Sequence, residues 1–78
     1  MDRAELRQRL DEAVIAYLIK NPLARFARIH AHIVSQMGAQ IDQRQTDRCL
    51  QRLRRKGTII HHGVGWGVPT ALAPPRKE

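Results

Sequence analysis

Arg44, Arg48, Gln51 and Arg55 recur at intervals of four, three and four residues, which at about 100° per residue gathers them on one side of a helix. Thr46, Cys49, Leu50 and Leu53 fall on the other side of the same stretch. A guanidinium presents its donors in a rigid planar fork, and a glutamine amide pairs a donor with an acceptor in one plane. Such a stripe suits an acidic partner with planar hydrogen-bonding edges. Covalent chemistry has no comparable constellation: no nucleophile with a base and an orienting group, no glycine-rich phosphate loop and no paired carboxylates stand out, so the chain does not read as an enzyme. The histidines form no ligand set either. His30 and His32 lie two apart on a predicted helix and point about 200° away from each other, and the neighbours His61 and His62 point to opposite sides of a predicted strand. Without thiolate or carboxylate partners in register, no metal, cofactor or small-molecule ligand is expected. Cys49, the single cysteine, excludes an internal disulfide and reads as a small core residue in a reducing compartment.

The charge is concentrated around that stripe. The chain carries a formal +7 over 78 residues. Residues 1–21 balance four basic against four acidic side chains, residues 22–41 add Arg25 and Arg28, and residues 42–57 hold six basic and two acidic groups. A focused excess of this kind is the electrostatic footprint of a polyanion binder, whereas any one arginine alone is as readily a solubilising surface group. A chain of this length makes one small domain that buries about 60 to 65% of its unfolded surface, and a deep catalytic cleft is not expected. Met1 to Leu10 is charged and lacks an apolar h-region, and no apolar run approaches the roughly 20 residues that span a bilayer. The expectation is a cytoplasmic protein with no membrane association.

The elements that position the stripe follow from spacing and punctuation. A first helix is predicted from about Asp2, as N-cap, to Lys20, with Leu6, Leu10, Val14, Tyr17 and Leu18 as its apolar stripe and Asn21-Pro22 as its stop. Its polar residues Arg3, Glu5, Arg7, Arg9, Asp11 and Glu12 alternate in sign and read as a solvated face. For residues 22–38, one reading starts a helix at Pro22. The preferred one puts Leu23 to Phe26 in an extended segment and begins the helix near Ala27, with Ile29, Ile33 and Met37 inward and Gly38 as C-cap. Asp42 with Gln45 forms a capping-box pattern, so a third helix runs from about Gln43 to Lys56, where Gly57 supplies a left-handed cap and Arg54, Arg55 and Lys56 meet the negative end of the helix dipole. Thr58 to His62 reads as a strand, Gly63-Val64-Gly65 as a hairpin tip and Trp66 to Val68 as the return, with Pro69 ending it. Trp66 is expected to cover the core, because the chain has only three aromatic residues of the Phe, Tyr and Trp type and needs the burial. Residues 1–70 form the domain, and residues 71–78 are expected to be a disordered tail. The fold class is mostly α with a small β-hairpin.

The run from Arg44 to Ile60 followed by Gly65-Trp66-Gly67-Val68-Pro69 resembles the second half of winged helix-turn-helix domains. The likeness rests on Leu50, Leu53, Gly57 and Ile59, which reproduce the end of the recognition helix in that superfamily, with Ile29, Ile33 and Met37 standing for the second helix. The interval from Gly38 to Thr46 is about two residues longer than the usual turn. The resemblance implies a three-helix domain in which Gln43, Arg44, Asp47, Arg48 and Gln51 face the DNA major groove. It further implies that Arg25, Arg28, Arg52, Arg55 and Lys56 grip backbone phosphates, and that His61, His62 and Val64 form a wing. Arginine engages guanine O6 and N7 bidentately and glutamine does the same for adenine, whereas phosphate contacts set orientation without reading sequence.

The implied function is sequence-preferring binding of double-stranded DNA by a small prokaryotic, phage or plasmid transcriptional regulator. Its working form would be a homodimer joined through the first helix, because specific sites usually combine two half-sites. Two other readings stay open: a protein-interaction module or accessory factor of a larger complex, since fold does not fix function, and RNA binding.

Overall fold

Local signals in the chain start three helices, and the first and third are capped at their N-termini by the aspartates their sequences supply. The structure, a computed structural model, describes residues 2–69. Helix α1 spans Arg3–Lys20; the Asp2 carboxylate accepts from the Glu5 amide at 2.8 Å, and at the far end the Asn21 amide and side chain both donate to the Tyr17 carbonyl. Helix α2 spans Phe26–Met37 and α3 spans Gln43–Lys56. The capping box is formed in both directions: the Gln45 amide donates to Asp42 Oδ1 at 2.8 Å, and the Asp42 amide donates to Gln45 Oε1 at 3.0 Å. Gly57 closes α3 in the left-handed conformation, φ 80° and ψ 7°, and the Thr58 amide reaches back to the Leu53 carbonyl, the pattern that lets a helix end without orphaned carbonyls.

Strands β1 (Ile60–His62) and β2 (Gly65–Gly67) pair antiparallel with His62 opposite Gly65. Two expected boundaries are corrected here. The first strand begins at Ile60 rather than Thr58, because the Thr58 amide is engaged in capping α3. The turn is the two-residue Gly63-Val64, with Gly63 at φ 65°, so Gly65 belongs to the return strand rather than to the tip. A two-residue hairpin loop needs positive φ at its first position, which glycine adopts without a steric cost.

Between α1 and α2 the expected extended segment Leu23 to Phe26 shrinks to a bridge at Ala24: Pro22-Leu23 is a turn and Phe26 already belongs to the helix. Ala24 forms a β-bridge with Trp66, whose amide donates to the Ala24 carbonyl at 2.8 Å, and α2 then starts at Phe26. Leu23 has φ 63°, a conformation that is unusual for a branched residue. A Cβ added at Gly65 would lie 2.2 Å from the Leu23 carbonyl oxygen, so the hairpin and this segment approach as closely as they do because residue 65 has no side chain.

The core is drawn from every element: Leu10, Val14 and Leu18 of α1, Ile29 and Ile33 of α2, Cys49, Leu50 and Leu53 of α3, and Ile59, Trp66 and Val68 around the hairpin. Trp66 is 7% exposed and covers the core as expected. Ile41, in the turn after Gly38, is also buried; its amide donates to the Gly38 carbonyl, so the long turn carries an additional core residue. The apolar stripe of α1 closes this chain's own core, and of its five residues only Leu6 and Tyr17 are half-buried. No helix among the described residues is long and apolar enough to cross a membrane. The expected tail at residues 71–78 lies outside the described residues.

Candidate nucleic-acid interface

Burial divides α3 along the line that its spacing predicts. Thr46, Cys49, Leu50 and Leu53 are buried, whereas Gln43, Arg44, Asp47, Arg48 and Arg55 are exposed and Gln51 is half-exposed. The exposed residues therefore share one side, and none of the large exposed apolar residues, Ile19, Leu23 and Val64, lies on this helix. Arg44, Arg48, Arg54, Arg55 and Lys56 have no ion-pair partner among the described residues. The side is thus cationic, hydrogen-bonding and solvent-facing.

Arg52, expected to contact phosphate, is held by an ion pair within the fold. Its Nη2 donates to Asp11 Oδ1 at 2.5 Å, with the two side chains 28% and 19% exposed. The same carboxylate oxygen accepts from Cys49 Sγ at 3.2 Å. Asp11 is therefore an anchor between α1 and α3 and no part of a solvated face. Burial first, then the hydrogen bond to Asp11, pushes the Cys49 thiol up to about 12, because both oppose a negative sulfur. This suits a core residue and disfavours a nucleophile.

The histidines are accounted for one at a time. His30 Nδ1 lies 2.8 Å from Thr46 Oγ1 and gives the one buried polar residue among the described residues a side-chain partner. His32 stacks on Tyr17 with ring centroids 4.4 Å apart. The two rings thus serve opposite sides of α2. No group of three or more His, Cys, Asp or Glu side chains among the described residues is arranged to hold a metal ion. On the hairpin, His61 lies over Trp66 at 4.5 Å, His62 is exposed, and Val64 at the tip is 69% exposed.

Arg25 and Arg28 meet in a cleft of about 560 Å³ at the end of α1, together with Lys20, Tyr17 and the Asn21 to Ala24 segment. Arg25 is the N-cap of α2, its side chain makes no capping hydrogen bond, and the first turn contains no acidic residue. Three cations around one cleft, beside the positive end of the α2 dipole, form an environment that favours an anion. Lys20 was not singled out in the sequence. Its position at the C-terminus of α1 is a sufficient explanation by itself, and only the return of the chain through Ala24 brings it beside Arg25. Compared with protein-family models, curated proteins and solved structures, the chain matches none.

Proposed function

We propose that this protein binds double-stranded DNA with sequence preference, as a small prokaryotic, phage or plasmid transcriptional regulator of winged helix-turn-helix type. In this reading α3 enters the major groove, the hairpin 58–69 acts as the wing, and the cleft around Arg25 and Arg28 holds a backbone phosphate. The observation that carries it is the two-sided burial of α3: its buried side is wholly engaged in the core, and its free side presents Gln43, Arg44, Asp47, Arg48, Gln51 and Arg55 together. A helix about 10 to 12 Å across fits a major groove about 12 Å wide. A protein-docking use of the same helix would call for exposed apolar residues on it, and α3 exposes none of its large ones.

Pairing of two copies through the first helix belongs to the same proposal. Leu10, Val14 and Leu18 are engaged internally, so the pairing uses the rim formed by Leu6 and Met37, which line a shallow groove with Ile41, while the exposed Ile19 stands near the other end of α1. Such pairing is weak in free solution and is completed on adjacent half-sites of DNA. Selection of bound sequences from a random duplex pool tests the whole reading: an enriched motif is expected, and a pool that remains random after repeated rounds removes sequence-preferring binding.

A further inference from the structure

The charges of α1 alternate in sign along the sequence, but the helix sorts them by side. Glu5 pairs with Arg9 at 3.7 Å on an exposed side, and Glu12 falls on that same side by helical spacing. Arg3 and Arg7, one turn apart, face the other way and line a groove of about 320 Å³ between the N-terminal half of α1 and α3. Arg48 and Arg52 form its opposite wall, over an apolar floor of Leu6 and Leu10. Of these four guanidinium groups, Arg52 is answered by Asp11, and Arg3, Arg7 and Arg48 have no ion-pair partner among the described residues. Four positive groups against one carboxylate leave a net +3 around one groove.

We propose that this groove takes up a backbone phosphate of the same duplex whose base edges face α3, so that Arg3 and Arg7 are DNA-backbone contacts. The inference rests on the DNA-binding reading above and extends it to a helix whose sequence gave no sign of contact. Arg48 makes the connection. It lies on the exposed side of α3 and also lines the groove, so a duplex seated on α3 runs one of its strands along the groove mouth. Arginine forks match phosphate oxygens bidentately, and the Asp11 pair holds Arg52 in place as the fixed end of the site. This contact lies at the opposite end of α1 from the Lys20, Arg25 and Arg28 cleft. With both occupied, the first helix spans two phosphate contacts.

The test is fluorescence anisotropy of a labelled random-sequence duplex across a salt series, comparing the wild type with Arg7→Gln, the double variant Arg3→Gln/Arg7→Gln, and Arg9→Gln. Arg9→Gln removes the same single charge from the acidic side of the same helix. Arg7→Gln is expected to lower the slope of log affinity against log salt by about 1, and the double variant by about 1 to 2, equally on random and selected sequences. Arg9→Gln is expected to leave the slope unchanged. The three substituted side chains, Arg3, Arg7 and Arg9, are exposed, and a thermal melt verifies that each variant is folded. If Arg7→Gln behaves as Arg9→Gln while the wild type binds with a steep salt dependence, the groove proposal is overturned and the DNA-binding reading stands. If the wild type shows no salt-dependent binding to any duplex, both fall.

Discussion

Arg48 lies on the exposed side of α3, the side proposed to face base edges, whereas Arg28 stands in the cleft at the entrance to α2. The two are expected to behave differently. Arg48→Ala should weaken the preferred duplex by about 1 to 3 kcal/mol and relax preference at one base position, and Arg28→Ala should weaken all duplexes about equally. Binding of both variants to a panel of single-base-substituted sites checks this, and an Arg48→Ala protein equal to the wild type on every site removes α3 as the reading element. Cys49 supplies a second prediction at this scale. Its thiol titrates near 9.0 when unperturbed and about 12 in the folded chain, so the folded state holds the proton more tightly than the unfolded one. The stability linked to this group is complete below about pH 9 and is lost as pH rises toward 12. At pH 8 a thiol reagent should therefore modify Cys49 only as fast as the protein opens, and rapid stoichiometric labelling of the native protein would contradict the buried Asp11 to Cys49 arrangement. Asp11 itself was not legible as anything but a surface acid: its two partners lie 38 and 41 residues away, and helical periodicity carries no information about contacts at that range.

At the scale of elements, Leu53 and Gly65 hold the pieces together in different ways. Leu53 is 2% exposed and anchors the buried side of α3. Leu53→Ala should cost about 2 to 5 kcal/mol, a large part of the stability of a small domain, and a melting temperature unchanged within a few degrees would mean that α3 is rotated from its assigned phase. Gly65→Ala adds a carbon where the Leu23 carbonyl oxygen already stands, 2.2 Å away, and overpacking of this kind typically costs about 1 to 3 kcal/mol. Its urea midpoint should fall, and the chemical shifts of Leu23 to Arg25 should move with those of the hairpin. The elements whose signals are local were legible in the sequence: the Asp42 to Gln45 box spans three residues, and Gly57 follows directly on Lys56. The hairpin was legible in kind but not in register. Gly63 and Gly65 look alike in sequence, and the choice between them as turn residue depends on the packing of residue 65 against Leu23. Ile41 is not legible as a core residue, because a lone apolar residue between Gln40 and Asp42 has no periodicity to reveal its burial.

For the molecule as a whole, the arrangement of the core bears on assembly. A standard stable interface covers about 800 Å² of each partner around an apolar centre, whereas the rim proposed for pairing offers Leu6 beside Met37, and the exposed Ile19 lies apart from it near the other end of α1. Light scattering of the free protein at tens of micromolar should therefore report a mass close to the 8.9 kDa chain, with a two-to-one complex forming on a palindromic duplex and Leu6→Glu reducing it to one-to-one. A stable dimer in the absence of DNA would require an apolar surface other than this rim.

The bridge between Ala24 and Trp66 also makes the chain its own spectroscopic reporter. Trp66 is the one tryptophan, its indole is buried, and its amide is bonded to a carbonyl 42 residues earlier in sequence. Its emission therefore reports closure of the whole fold, while helical circular dichroism reports α1, α2 and α3. In a cooperative domain the two signals should change together on denaturation. Emission that shifts to the red ahead of helix loss would mean that the hairpin undocks first, and would give the free energy separating the docked from the undocked wing without any label being introduced.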